Sequence, residues 1–249
     1  MRAPALLRLP LDDYLAALDA LLRGRSWTAA LATVAAAVAA WWIYLPAHEL
    51  LHALGCVAGG GTVTRLEIDA MYGAAWLQRV FPFVAVGSRY AGQLTGFDTH
   101  GNDLTYLLTD ALPYALTVAI GVPVLRAAGR RPPGIAQALL FGAALPVALA
   151  PFISLAGDFY EMGSIVVSRL VAGAVPGFAP ERWRSDDLAL LVERLRGLEP
   201  GALDVAGVAA SGVLGIALAF LTYAAGAAWS RWLERRRGRT GVDRAGYNV

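Results

Sequence analysis

Four stretches of this chain, Trp27 to Ala47, Leu104 to Leu125, Gly134 to Ala156 and Val205 to Trp229, are long and mostly apolar. Roughly 20 such residues, rising about 1.5 Å each as a helix, cross the ~30 Å hydrocarbon core of a bilayer. Within that core only helices and closed barrels satisfy their backbone groups. The chain therefore reads as an all-α integral membrane protein with about four transmembrane helices. Its 57% hydrophobic and 16% charged residues exclude a soluble domain of ordinary composition. A formal net charge of +2 is too small to point to nucleic acid, and none is expected as a partner.

Charge sets the expected orientation. All 21 basic residues are arginine: four precede Trp27, three lie from Arg126 to Pro133, and six follow Trp229. These segments are expected on the cytoplasmic side, which attracts basic loops. The loops 58–103 and 157–204 carry twelve acidic residues against eight arginines and are expected outside. Trp27, Trp229 and Trp232 then fall at the inner boundary, and Trp41 with Trp42 near the outer one. Three parts result: a cytoplasmic or interfacial segment 1–26, a membrane domain 27–229 and a basic cytoplasmic tail 230–249. In the first part, Leu11, Leu15, Leu18 and Leu22 share a helical face opposite three aspartates. That suits a helix lying on the membrane surface, or equally one packing on the protein. Asp12, Asp13 and Asp19 leave it no apolar core of the kind a secretory signal has. The abundance of Ala, Gly and Arg without Lys points to a bacterial cytoplasmic membrane, with both termini cytoplasmic. The first outer loop is not a simple tether: Thr62 to Ile68 alternates like a half-buried strand after Gly59-Gly60-Gly61. Further on, Ser185-Asp186-Asp187 reads as a helix start, and Leu188, Leu190, Leu191 and Leu195 form that helix's apolar face.

The residues that carry chemistry are His48-Glu49-Leu50-Leu51-His52, just after Pro46. Four residues make about one helical turn, so both imidazoles project from one face and can share one Zn²⁺ ion, with Glu49 beside them as general base. A lone cysteine, Cys56, excludes a cysteine cluster and an intramolecular disulfide. A third protein ligand is needed. The soluble class with an extended motif would place a histidine where Ala58 stands. The remaining histidine, His100, sits in a polar loop and reads as a surface residue. Asp158 ends the third span at the depth of His48 and His52 and is the favoured ligand; Glu161, three residues on, is the alternative. Asp110 in the second span is expected either to orient a ligand histidine or to bond a neighbouring helix.

By these residues and their order the chain resembles the site-2 protease family of intramembrane zinc metalloproteases. In that family an H-E-x-x-H helix, a glycine-containing turn, a membrane-associated β-hairpin, a second span and a third span bearing an aspartate ligand follow one another. Here His48 to His52, Ala53-Leu54-Gly55, Thr62 to Ile68 and Asp158 occur in that order, although glycine precedes Asp158 where the family has it after. The resemblance implies that His48, His52 and Asp158 hold the metal, that Glu49 is the base, and that a short β-hairpin follows the motif helix. The expected function is a membrane-embedded zinc endopeptidase that hydrolyses membrane or membrane-proximal proteins through metal-activated water. The substrate would add as a strand to Thr62–Ile68. The alternative is a non-proteolytic membrane protein using the same histidine pair. Glu49 separates them, because metal storage needs no general base.

Overall fold

The computed structural model describes residues 5–245, with side chains to 236; sequence readings that fall on residues 1–4 and on the rest of the basic tail lie outside the described residues. In chain order the elements are α1 (Ala5–Arg23), α2 (Trp27–Ala58), β1 (Thr62–Ile68), α3 (Ala74–Val80), β2 (Val84–Val86), β3 (Gly92–Asp98), α4 (Asp103–Ala111), α5 (Val122–Arg130), α6 (Ile135–Ala148), α7 (Ala150–Ile153), α8 (Asp158–Ala174), α9 (Leu188–Arg196) and α10 (Ala202–Ala245). The chain is thus mostly helical with one small sheet.

Three helical stretches are long and apolar enough to cross a membrane: Trp27–Ala58, Asp103–Arg130 and Ala202–Arg236. The second runs from α4 through a 3₁₀ turn (Leu112–Tyr114) and a π turn (Thr117–Gly121) into α5. Much of their apolar surface has no protein against it: Leu31, Val34 and Val38 of α2 are 68%, 61% and 58% exposed. A helix apolar all round needs an apolar solvent. The stretch Gly134 to Ala156, expected to be one span, is instead broken, because α6 stops at Ala148 and α7 adds four residues. Proline explains the break. Pro151 has no N–H to offer the Val147 carbonyl, which accepts from Thr117 Oγ1 at 2.7 Å instead.

The chain forms two compact units. The first, residues 1–41, 116–149 and 220–249, holds α1, the start of α2, α5, α6 and the end of α10. Its helices meet at small residues. A Cβ on Gly142 would overlap the Thr33 carbonyl, and one on Gly121 would lie 2.6 Å from the Ala148 nitrogen. On α1, Ala17 and Ala20 are buried while Leu11, Leu15 and Leu22 are exposed, so small residues make its protein contact and the leucines face away. Asp13 of α1 meets Arg126 Nη1 at 3.2 Å and accepts from Tyr223 at 3.2 Å. Burial raises the Asp13 pKa, with Arg126 pulling against it.

The second unit, residues 42–115 and 150–219, carries the rest of α2, the sheet, α3, α4 and α7 to α9, with the start of α10. The sheet order is β2-β1-β3, with β1 antiparallel to β3 and parallel to β2. The strand expected at Thr62–Ile68 is present, but its partners arrive through α3 and a loop, so the expected hairpin is a three-stranded sheet. Leu66, Ile68, Ala74, Leu77 and Val84 form a core beneath it that Leu50 of α2 also packs on, which fixes the motif end of α2 to the sheet. On the other side α2 crosses α4 closely. A Cβ on Gly55 would overlap the Leu108 carbonyl, and Thr105 Oγ1 donates to the Gly59 carbonyl at 2.7 Å. The helix start expected at Ser185-Asp186-Asp187 is present, with Asp187 as the cap, whose side chain accepts from Ala189 and Leu190 N–H at 2.8 and 3.1 Å. Leu191 and Leu195 of that helix are buried; Leu190 is 43% exposed.

Candidate metal centre

The helix α2 continues through Pro46, so His48 and His52 sit one turn apart on one face. Their Nε2 atoms are 3.1 Å from each other. The first residue of α8, Asp158, brings Oδ2 to 3.3 Å from His48 Nε2 and 3.5 Å from His52 Nε2. Donor atoms bound tetrahedrally at about 2.0–2.1 Å stand about 3.3 Å apart, which is the size of this triangle. His48, His52 and Asp158 can therefore hold a metal ion.

The partners behind the three donors point the same way. The His52 Nδ1 lies 2.9 Å from the Thr109 carbonyl. A carbonyl only accepts, so Nδ1 carries the hydrogen and the neutral ring turns a lone pair on Nε2 toward the group. Tyr44 Oη stands 2.8 Å from His48 Nδ1, and an N–H there leaves His48 Nε2 in the same state. The Tyr114 hydroxyl donates to Asp158 Oδ2 at 2.5 Å and holds the carboxylate in place. Lone pairs of two imidazoles and a carboxylate then converge on one point with His52 only 8% exposed. With both Nδ1 atoms carrying hydrogen, a cation or a shared proton between the three atoms relieves their repulsion, and histidines anchored through the other ring nitrogen are common at metal sites.

Glu49 follows His48 and faces the same cavity of about 600 Å³. One wall of that cavity is β3, through Gly92, Gln93, Leu94, Thr95 and Phe97. The approach is close: a Cβ on Gly92 would stand 2.5 Å from Glu49 Cγ and 2.7 Å from Cδ, so glycine leaves room for the carboxylate. Because β1 is central, with β3 along it and β2 beside Leu66–Ile68, the strand that presents an outer edge to the cavity is β3. At β1, where strand addition was expected, Leu66–Ile68 is paired on both edges, by β2 and β3. The loop and strand are tied across to the start of α9, where Tyr90 donates to Asp187 at 3.0 Å and Gln93 Nε2 to Asp186 at 2.8 Å. The cap bonds to Leu190 and Ala189 and the Tyr90 bond hold the Asp187 carboxyl below its ordinary range.

The alternative ligand Glu161 is not in the metal group. Its Oε1 accepts from the Tyr106 hydroxyl at 2.5 Å, and burial pushes its carboxyl up to about 8. His100 lies in a turn with φ 53°, pairs with Asp98 at 3.2 Å and is not brought to His48. Asp110 is buried in the cavity wall, but the group that orients His52 is the backbone carbonyl of the preceding Thr109. Tyr44, Thr109, Tyr114 and Gly92 went unread in the sequence. Tyr44 did carry a signal, since it precedes His48 by the same four residues that separate the histidines. The other three had none, because their role depends on which helix and strand pack against α2. No protein-family model, curated protein or solved structure matches this chain.

Proposed function

We propose that this protein is a zinc-dependent endopeptidase embedded in a membrane and related to the site-2 proteases, which it resembles in the order of its motif helix, sheet and aspartate. The observation that carries the reading is the convergence of His48, His52 and Asp158 donor atoms at 3.1 to 3.5 Å, with Glu49 in the same cavity. Bound there, zinc would supply a Lewis acid that brings the pKa of water toward about 7 and polarises a peptide carbonyl. Glu49 takes the proton from the water that attacks the carbonyl carbon and passes it to the nitrogen as the C–N bond breaks. Tyr44, Thr109 and Tyr114 hold the three donors still. The outer edge of β3 offers its backbone groups to an extended substrate, so the segment to be cut enters as an added strand.

The protein is proposed to lie in a bacterial cytoplasmic membrane with four crossings and both ends inside. In this reading α6 and α7 together make the third crossing, and the exposed leucines of α1 rest on the inner surface. Purified chain supplied with zinc is expected to cleave an unstructured polypeptide such as casein. Glu49→Gln should lower the rate by about 10²–10⁴-fold with the metal retained. Cleavage that persists in Glu49→Gln, or none by zinc-loaded wild type, would leave a metal-binding or partner-binding role as the better account.

A further inference from the structure

Beside the metal group the cavity has an acidic arm. Asp110 of α4 and Glu161 of α8 both line it, with Tyr106 one turn before Asp110. Asp110 is 3% exposed, and its Oδ2 is buried with no hydrogen-bond partner. Glu161 is 6% exposed and is held by the Tyr106 hydroxyl. The charged groups that act on Asp110 are Glu161, Asp158 and Asp186, all of them negative. The cavity wall also carries two arginines; their bonds go to other groups, Arg184 Nη2 is buried with no hydrogen-bond partner, and neither arginine is among the charges that act on Asp110 or Glu161. Arg184 Nη1 pairs with Asp103 at 2.8 Å and its Nε donates to Ser168 Oγ at 3.1 Å. Arg194 Nη2 donates to the Arg182 and Arg184 carbonyls at 3.3 and 3.2 Å.

A cation held by His48, His52 and Asp158 answers the charge of Asp158 and leaves the Asp110 and Glu161 pair without a counter-charge. Two carboxyl groups removed from water, one with an unbonded oxygen, hold their protons while the cavity is empty and gain a partner when a cation enters it. We propose that Asp110 and Glu161 form a subsite for a positively charged group of the peptide substrate, one or two residues from the bond that is cut. The group is a Lys or Arg side chain or a free amino terminus. The spacing follows from the elements. Glu161 lies three residues beyond Asp158 on α8, a rise of about 4.5 Å, and an extended peptide advances about 3.3 Å per residue. Asp110 follows Thr109, whose carbonyl holds His52, so it too borders the metal group.

This inference rests on the peptide-binding reading above, and its test separates the two. Zinc-loaded Glu49→Gln protein, full-length and in detergent, is titrated with short fluorescent peptides of neutral sequence. Each position in turn carries Lys or norleucine, and each peptide is made with a free or an acetylated amino terminus. One lysine position, or the free terminus, should tighten binding by about tenfold or more. That advantage should fall to within about twofold when Asp110→Asn and Glu161→Gln are added, and partway with the milder Glu161→Gln alone. A lysine site identifies a side-chain subsite; a preference for the free terminus identifies an amino-terminal one. No preference for either cation, a preference that survives both substitutions, or no binding of any peptide overturns the proposal. Cleavage of the same peptides by wild type reads hydrolysis independently, and its absence alongside a cation preference would sink the peptidase reading while the subsite stands.

Discussion

At the level of single residues, the site depends on which atoms are held from behind. The pattern His48-Glu49-x-x-His52 was legible because four residues on a helix bring two imidazoles to one face whatever surrounds them. Asp158 was legible by depth, as the acidic residue nearest the end of an apolar stretch. The choice between Asp158 and Glu161 needed the packing of α8, which turns Asp158 to the histidines and Glu161 to Tyr106. Gly92 was invisible, since nothing in its own neighbourhood announces that a glutamate side chain from α2 lies against its Cα. It supports a sharp prediction. A Gly92→Ala methyl would stand 2.5 Å from Glu49 Cγ and must displace it. The rate of peptide cleavage should fall by about 10- to 100-fold, with zinc content unchanged, as for a base moved by a fraction of an ångström to an ångström. Equal losses of metal and activity would show instead that Gly92 supports the whole group.

At the level of elements, apolar length located the helices and failed where proline intervened. Stretches from Trp27, Leu104 and Val205 lie in helices long enough to cross a membrane, whereas Gly134 to Ala156 is split because Pro151 cannot complete the helical ladder. Period-2 alternation found β1 but not its partners. Three-residue β2 is too short to carry a pattern, and β3, Gly-Gln-Leu-Thr-Gly-Phe-Asp, contains two glycines that lower its strand character. The contact that aligns the motif helix with its partner is α2 on α4, where Gly55 lies against Leu108 and Thr109. Gly55→Ala should wedge these helices apart, strain the His52 to Thr109 bond and destabilise the protein by about 1–3 kcal/mol. The expected signs are a lower apparent Tm in detergent and weaker zinc retention against a chelator. An unchanged Tm would mean that the crossing is looser than the described geometry.

At the level of the whole molecule, three helices are long and apolar enough to cross a membrane, and the arginine placement is the ground for the proposal of a fourth crossing with both ends inside and the loops that carry β1 to β3 and α9 outside. Cysteines placed singly at Arg131 and at Ser88, in a Cys56→Ser background, should react with a membrane-impermeant maleimide from opposite faces: position 131 from the cytoplasmic side and position 88 from the outer side. Labelling of both from one side would overturn the four-crossing topology and leave three. His48, His52 and Asp158, from distant parts of the chain, are proposed to hold one metal ion, and zinc content per chain reads this most directly. Elemental analysis of detergent-purified protein should give about one zinc in wild type, Glu49→Gln and Glu161→Ala, and less than about a tenth of that in His48→Ala and Asp158→Ala. Well-folded wild type that takes up no zinc when it is supplied, or Asp158→Ala protein that keeps its full complement, would contradict the account.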